Sequence, residues 1–509
     1  MTGTSGSIRL HSRSDPSGEA ARFLAESLGE RRPSCLLVLG GGEEWICEAA
    51  RSRLPGSLII SIQFDSRFRG VERPGADVRW YPDTDAPLYD VLARHVPGRM
   101  DGGAAVVTWK PSERAFPDAA AAVTRVLRRA LEDFSSDGAT VRFWSRRWLV
   151  NGLRTFLAAE RYCRIRPDPV PVVVAAAGPS LENALEELQP YRGRFRLWTL
   201  ASAAAACLRR AWTPDLVIST DPGFWADRHF DAVLRSGVMD RIPMAVPITA
   251  RIPIPVAEGC SLALLTLPEE PENDLIAAAG LPAFPAAARG TSAADSLALA
   301  GEISKAPVLV AGLDMAARDL RSHCRPYGFD AHILAPERRL APGLSLLWER
   351  ETASFPVRMG AWRRGRAFDL YAQGIYRPAA GPVLRLLPSP VPVPGTISLD
   401  PGDLDSLLPR TPSEPCPVPE TTPAPERPRR LALVKEALEA WGIEIESALA
   451  GKPNPPLPYR TRRLLYALGG SEAAAYLAAT SRGILDESAA SRARTAVRRS
   501  LEELRELVG

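Results

Sequence analysis

Apolar residues cluster along much of this 509-residue chain in short runs bounded by glycine, proline and polar turns, the pattern of strands buried on both faces. Near the start, Cys35-Leu-Leu-Val-Leu-Gly-Gly-Gly42 is such a run ending in glycines. Residues 43–50 have helical character, and 57–62 form a second apolar run after a Pro-Gly turn. Strand, glycine turn, helix and strand open a parallel βαβ unit, so a Rossmann-like N-terminal segment is predicted. From residue 169 the alternation is clearer. Runs at 170–176, 196–200, 216–220, 244–248, 262–266 and 307–311 read as strands, with helical stretches at 181–188, 203–210 and 292–303 between them. This predicts an α/β central domain with a doubly wound, mainly parallel sheet, whose ligands sit at the carboxyl ends of the strands.

Residues 378–428 hold fifteen prolines, a density that argues against helix and central strand and predicts an extended linker. Beyond it, Leu431, Val434, Leu438, Trp441, Ile445 and Leu449 recur at spacings of three and four, one face of an amphipathic helix. Further helices are predicted around 461–468 and 488–508. The resulting division is a flexible tail (1–32), an N-terminal α/β domain (33–140), a central domain (141–376), a proline-rich linker (377–428) and a C-terminal helical module (429–509).

Composition narrows the function classes. With 63 basic and 59 acidic residues the net charge is +4, too balanced for a general nucleic-acid binder. Only four basic residues are lysine, which reads as base-composition bias, so the arginines as a class carry no special role. Seven scattered cysteines without a CxxC pair point to reduced thiols and to no metal site. The first residues lack the apolar core of a signal peptide. The longest uncharged apolar stretches, 169–181 and 276–288, are short and broken by proline, so a cytoplasmic protein without a membrane span is expected.

The ends of the predicted strands carry the chemistry. The first is followed by Gly178-Pro179-Ser180, where glycine permits close approach, Ser180 can cap the next helix and free N–H groups can meet a phosphate. The same three residues also make an ordinary capped helix start. Ala201-Ser202 places a second hydroxyl at a strand end. Asp221 ends the third strand, where a carboxylate can accept a sugar hydroxyl, act as a base or cap its own turn. Thr291 and Ser292 open another helix. The last strand leads to Asp314, with His323 nine residues on, an acid/base candidate. His229, eight residues beyond Asp221, is its rival. Walker A, HExxH and GxSxG patterns are absent.

The ordered series GPSLEN (178–183), TPDLVISTDP (213–222), GTSAADSLALA (290–300) and VLVAGLDMA (308–316), followed by Ser322-His323, resembles the core of the Maf (motility-associated factor) flagellin glycosyltransferases. It is similar also to the archaeal 6-hydroxymethylpterin diphosphokinase. The likeness covers about residues 170–325. It implies a central domain like the bacterial CMP-sialic-acid sialyltransferases, which would move a nonulosonic acid from a CMP donor to Ser or Thr of flagellin, or of another protein acceptor, in the cytoplasm. By the same resemblance, Gly178, Pro179 and Ser180 cradle the CMP phosphate, and Thr291 and Ser292 line the donor site, to which the strand-end reading adds Ser202. Asp221 and Asp314 flank the pocket, and His323 is the base for the acceptor hydroxyl. Ala175-Ala-Ala177 stands where the family has glycine or asparagine, and Leu313 where it has glutamine. These departures leave open a non-catalytic scaffold of a flagellar or surface-glycan system. Pterin diphosphate transfer is the other alternative, although Ser219-Thr-Asp-Pro-Gly223 carries a single acid.

Overall fold

The computed structural model describes residues 10–70, 73–286, 289–375, 383–414, 416, 420–450, 457–482, 484 and 486–508. The chain divides into two compact units, one made of Met1–Arg146 with Leu438–Gly509, the other of Arg147–Ala437. Residues 1–9 of the expected tail, and 376–382 where the central domain was expected to give way to the linker, lie outside the described residues.

The first unit holds a parallel sheet of β1 (Cys35–Leu39), β2 (Leu58–Ile62), β3 (Val78–Trp80) and β4 (Ala104–Thr108), in the order β3-β2-β1-β4. All five residues of β1 are buried, as its unbroken apolar run requires. The tail expectation fails from residue 10 onward, where Leu10 and His11 are buried and His11 stacks on Trp109. Asp15 caps a helix, Pro16–Leu28, whose Ala20, Leu24 and Leu28 recur every fourth residue and are buried in the core beside Leu36 and Ile46. The helices Tyr459–Ser481 and Glu487–Val508, expected in a separate module, belong to this same unit. Asp101, on the turn before β4, receives hydrogen bonds from Arg462 (3.3 Å) and Tyr466.

The second unit is built on one large sheet. Its strands are β5 (Arg161–Cys163), β6 (Val172–Ala175), β7 (Arg196–Leu200), β8 (Leu216–Ile218), β9 (Met244–Pro247), β10 (Ser261–Thr266), β11 (Ala283–Pro285), β12 (Val308–Ala311), then, beyond a small separate sheet, β16 (Val383–Leu386), β17 (Thr396–Leu399) and β18 (Thr421–Pro423). That small antiparallel sheet comprises β13 (Ala317–Arg318), β14 (Val357–Met359) and β15 (Trp362–Arg364). The large sheet runs β17-β16-β12-β6-β7-β8-β9-β10-β5-β18, with β11 beside β10, and every pair is parallel except β18 with β5. From β6 the chain winds one way to β10 and the other way from β12 to β17. The two windings part between β6 and β12, and a doubly wound sheet opens its crevice there. Among the described residues no helix is long and apolar enough to cross a membrane.

The proline-rich stretch is more than a linker. β16 lies inside the sheet, pairing Val383–Leu386 with Val308–Ala311 on one side and with Thr396–Leu399 on the other. The prolines fall between these two proline-free tetrapeptides, so every ladder N–H survives. The connection is anchored from within: buried Arg385 donates to the Val391 carbonyl (2.8 Å) and to Ser389 Oγ (2.9 Å). Pro423 sits on β18, an edge strand, where a missing donor is tolerated. Truncation after residue 376 therefore strips β16, β17 and β18 from the sheet and uncovers β5 and β12. The truncated chain is expected to be insoluble or to lack a cooperative thermal transition by circular dichroism. A soluble product melting like the full chain would show those strands to be dispensable.

Candidate functional site

The crevice between β6 and β12 is closed by two interlocked glycine turns. Gly178 donates its N–H to the Gly312 carbonyl (2.7 Å). A Cβ on Gly178 would collide with that carbonyl and with the Asp314 carboxylate, and one on Gly312 with the Ala176 carbonyl. Gly312 also has a φ of 73°, a region that glycine enters without strain. Asp314, only 2% exposed, accepts the Ser180 backbone N–H at 2.7 Å and the Ser180 hydroxyl at 2.6 Å. Burial raises its pKa and the two Ser180 donors oppose the rise.

This geometry corrects two expectations. Ser180 and Asp314 are spent on one another, so the Gly178–Ser180 turn presents an internal carboxylate where a ligand phosphate was expected. Asp314 points into the protein rather than flanking an open pocket. Both act as the clasp of the crevice.

The clasp holds the loop that carries His323. Cys324 donates its N–H to the Ala177 carbonyl (2.8 Å). Glu182, in the first turn after Ser180, takes the Arg321 guanidinium (2.7 Å) and the Arg325 N–H (2.8 Å) through one oxygen. Both flanks of His323 are thus fixed to the segment 177–182. Glu182 went unremarked in the sequence although it lies within GPSLEN.

A second group forms at the end of β8. Thr220 and Ser292 share a hydrogen bond between their hydroxyls (2.8 Å), and Thr291 caps the twelve-residue helix Ser292–Ile303 by accepting the Ala294 N–H (3.1 Å). Asp295, also missed in the sequence, accepts the Arg289 N–H (2.8 Å). Burial pushes its pKa up to about 6, opposed by the hydrogen bonds from Arg289 and Thr220. Ser202 is half-buried in the first turn of the helix Ala201–Arg209.

The third group unites residues far apart in sequence. His323 stacks on Tyr327 with ring centroids 4.0 Å apart and planes 11° from parallel. His229 lies 5.7 Å from the same tyrosine ring and 5.0 Å from Phe329. The two rival bases therefore belong to one aromatic cluster, and Tyr327 gave no signal in the sequence. Burial first, then the neighbouring His229 and Arg350, push the His323 pKa down to about 3. Burial also lowers that of His229, while the carboxylate of Asp221 works the other way. Asp221 itself is exposed and accepts the Gly223 N–H (2.7 Å), capping its own turn. Beside the cluster Phe224 (56% exposed) and Trp225 (45%) face solvent, and Trp225 lies 4.3 Å from His332.

Residues 153–319 match the family model described as 6-hydroxymethylpterin diphosphokinase MptE-like. An uncharacterized protein of Treponema pallidum (strain Nichols) is 27% identical over 266 residues, 52% of this chain and 58% of that protein. A second one from the same organism is 23% identical over 118 residues, 23% of this chain and 56% of its own length. The chain thus spans little more than half of each curated relative it matches. Among solved structures, the Maf glycosyltransferase from Magnetospirillum magneticum AMB-1 superposes with a TM-score of 0.54 at 12% identity, over 98% of this chain and 84% of the other. At that identity the likeness carries the fold.

Two predictions follow from the clasp and the cluster. Asp314→Ala leaves the Ser180 N–H and hydroxyl without an acceptor in a buried turn, at a cost of about 1–3 kcal/mol. A lower urea midpoint with an unchanged slope is the expected result, and an unchanged midpoint would mean that the clasp carries no stability. The second concerns pH. An unfolded histidine protonates near its ordinary 6.5, whereas His323 stays neutral to about 3 in the fold. The unfolded chain therefore binds more protons as pH falls below 6.5, and stability is lost there. The melting temperature of His323→Gln should fall less steeply than that of the wild type between pH 6.5 and about 4. Parallel curves would show that His323 is protonated within the fold.

Proposed function

We propose that this chain, which carries an MptE-like domain and shares the fold of a Maf glycosyltransferase, transfers a nonulosonic sugar of the sialic-acid type from a CMP donor to Ser or Thr of flagellin. The observation that carries the reading is the meeting of His229 and His323 around Tyr327, at the carboxyl ends of the strands in a sheet of that fold. His323 takes the proton of the acceptor hydroxyl on its imidazole. The acceptor oxygen bonds to the anomeric carbon, whose bond to the phosphate oxygen breaks, and the electron pair leaves on CMP. An imidazole kept neutral by burial has its lone pair free at any pH near 7. Asp221 lies close enough to favour protonation of His229, so that pair faces the leaving group.

The donor phosphate is assigned to the N-terminus of the Ser292–Ile303 helix, with Thr291, Ser292 and Thr220. Its positive dipole end and hydroxyls suit an anion, and the Gly178–Ser180 turn, already bonded to Asp314, serves by shaping the crevice floor. The exposed rings of Phe224 and Trp225 offer faces for the acceptor. All seven cysteines are unpaired, in keeping with cytoplasmic transfer.

The test is transfer of a pseudaminic- or legionaminic-type sugar from its CMP conjugate to flagellin, read as a mass increase on Ser- or Thr-containing peptides. His323→Ala should lower the rate by ~10²–10⁴ with donor affinity nearly unchanged, because the base is used in the transition state. His229→Ala is assayed in parallel. Donor binding without transfer to any flagellin would favour the scaffold reading. Diphosphate transfer from ATP to a hydroxymethylpterin would favour the activity that the family description names.

A further inference from the structure

His323 does not stand alone. Its Nδ1 lies 3.0 Å from Ser322 Oγ, and that hydroxyl donates onward to Glu351 Oε1 at 3.4 Å. Glu351 sits on the helix Gly343–Ser354 and is 4% exposed. Its second oxygen, Oε2, is buried without a hydrogen-bond partner among the described residues. A buried carboxylate with half its acceptor capacity idle is costly and is seldom kept for packing alone.

The chain of three groups has a direction set by proton count. A serine hydroxyl has one hydrogen to donate, and the Glu351 carboxylate, an acceptor only when ionised, claims it. The oxygen of Ser322 is then left to accept, so the proton of a neutral His323 must sit on Nδ1. Its lone pair is thereby placed on Nε2, the nitrogen not engaged by Ser322. We propose that Glu351 is a positioning residue which, through Ser322, fixes His323 in the tautomer whose Nε2 is free to take a proton. This rests on the reading of His323 as the base, and it gives Glu351 and Ser322 a role in setting that base. Burial, which keeps the His323 ring neutral, is what makes its tautomer matter. The groups facing that ring are Ser322 and Tyr327 from its own loop, His229 from the turn after β8 with Asp221 beyond it, and Arg350 and Glu351 from the Gly343–Ser354 helix.

Replacing Glu351 by Leu frees the serine hydrogen. Ser322 can then donate to Nδ1, which favours the tautomer with its proton on Nε2. Glu351→Gln keeps an amide oxygen as acceptor and should preserve the original state. The experiment is long-range 1H–15N correlation of the full-length protein labelled on histidine, with His323→Gln locating its signals among the five histidines. The wild type and Glu351→Gln are expected to show a protonated Nδ1 and a bare Nε2. Glu351→Leu should shift toward the opposite pattern, and Ser322→Ala should lose the preference. Sugar transfer should fall about 10–100-fold in Glu351→Leu, be largely restored in Glu351→Gln, and leave donor affinity unaltered. A wild-type ring protonated on Nε2, or one unmoved in both Glu351→Leu and Ser322→Ala, overturns the proposal. The spectrum reads the tautomer whatever the reaction: a shift without detectable transfer by the wild type would sink the transferase reading and leave the relay standing.

Discussion

Two backbone turns meet where the sheet reverses its winding, and neither could approach the other with a side chain in the way. Gly178 and Gly312 supply that closeness, and the Asp314 carboxylate locks it by taking both donors of Ser180. The helix that begins after Ser180 starts with the Asp314 side chain bonded at its positive end, a favourable placement that needs no ligand. From this clasp the rest of the crevice is hung. Ala177 and Glu182 hold the backbone and side chains on both sides of His323, so the position of the imidazole is inherited from the turn. A phosphate could displace Asp314 from Ser180 only by undoing that support.

The legible part of the fold was the part with a single local cause. β6, β7, β9 and β12 are buried along their whole length, and each shows as an apolar run in the sequence. The clasp was half legible: Gly178, Ser180 and Asp314 stood out as strand-end residues, but their mutual hydrogen bonds span 134 positions and no local pattern encodes them. What was misread had a competing local cause. Proline density over 378–428 concealed two proline-free strands of four residues, because composition averages over a window longer than the strand. The serine- and arginine-rich opening concealed a helix whose apolar side rests on Ala20, Leu24 and Leu28, with Phe23 packed beside them. At the site, His323 and His229 looked like rivals because 94 residues separate them, and nothing local shows that Tyr327 lies between.

Two histidines in one cluster raise the question of which would carry a proton first, and their surroundings answer it. Both are lowered by burial, so neither is charged near neutral pH. His229 has a carboxylate, Asp221, pulling its titration upward. The charges that shift His323 are those of His229 and Arg350, and both push its titration downward. The two rings are thus driven apart: a single proton shared by the pair belongs on His229, and its presence there makes a second proton on His323 still less favourable. Neighbouring groups whose environments separate their titrations in this way are suited to opposite ends of one reaction, the ring that resists charge as the acceptor of a proton and the ring that tolerates it as the donor. Asp221 thereby gains a part that does not require it to touch a substrate. Capping its own turn holds its carboxylate in place, and from there its charge draws the titration of His229 upward.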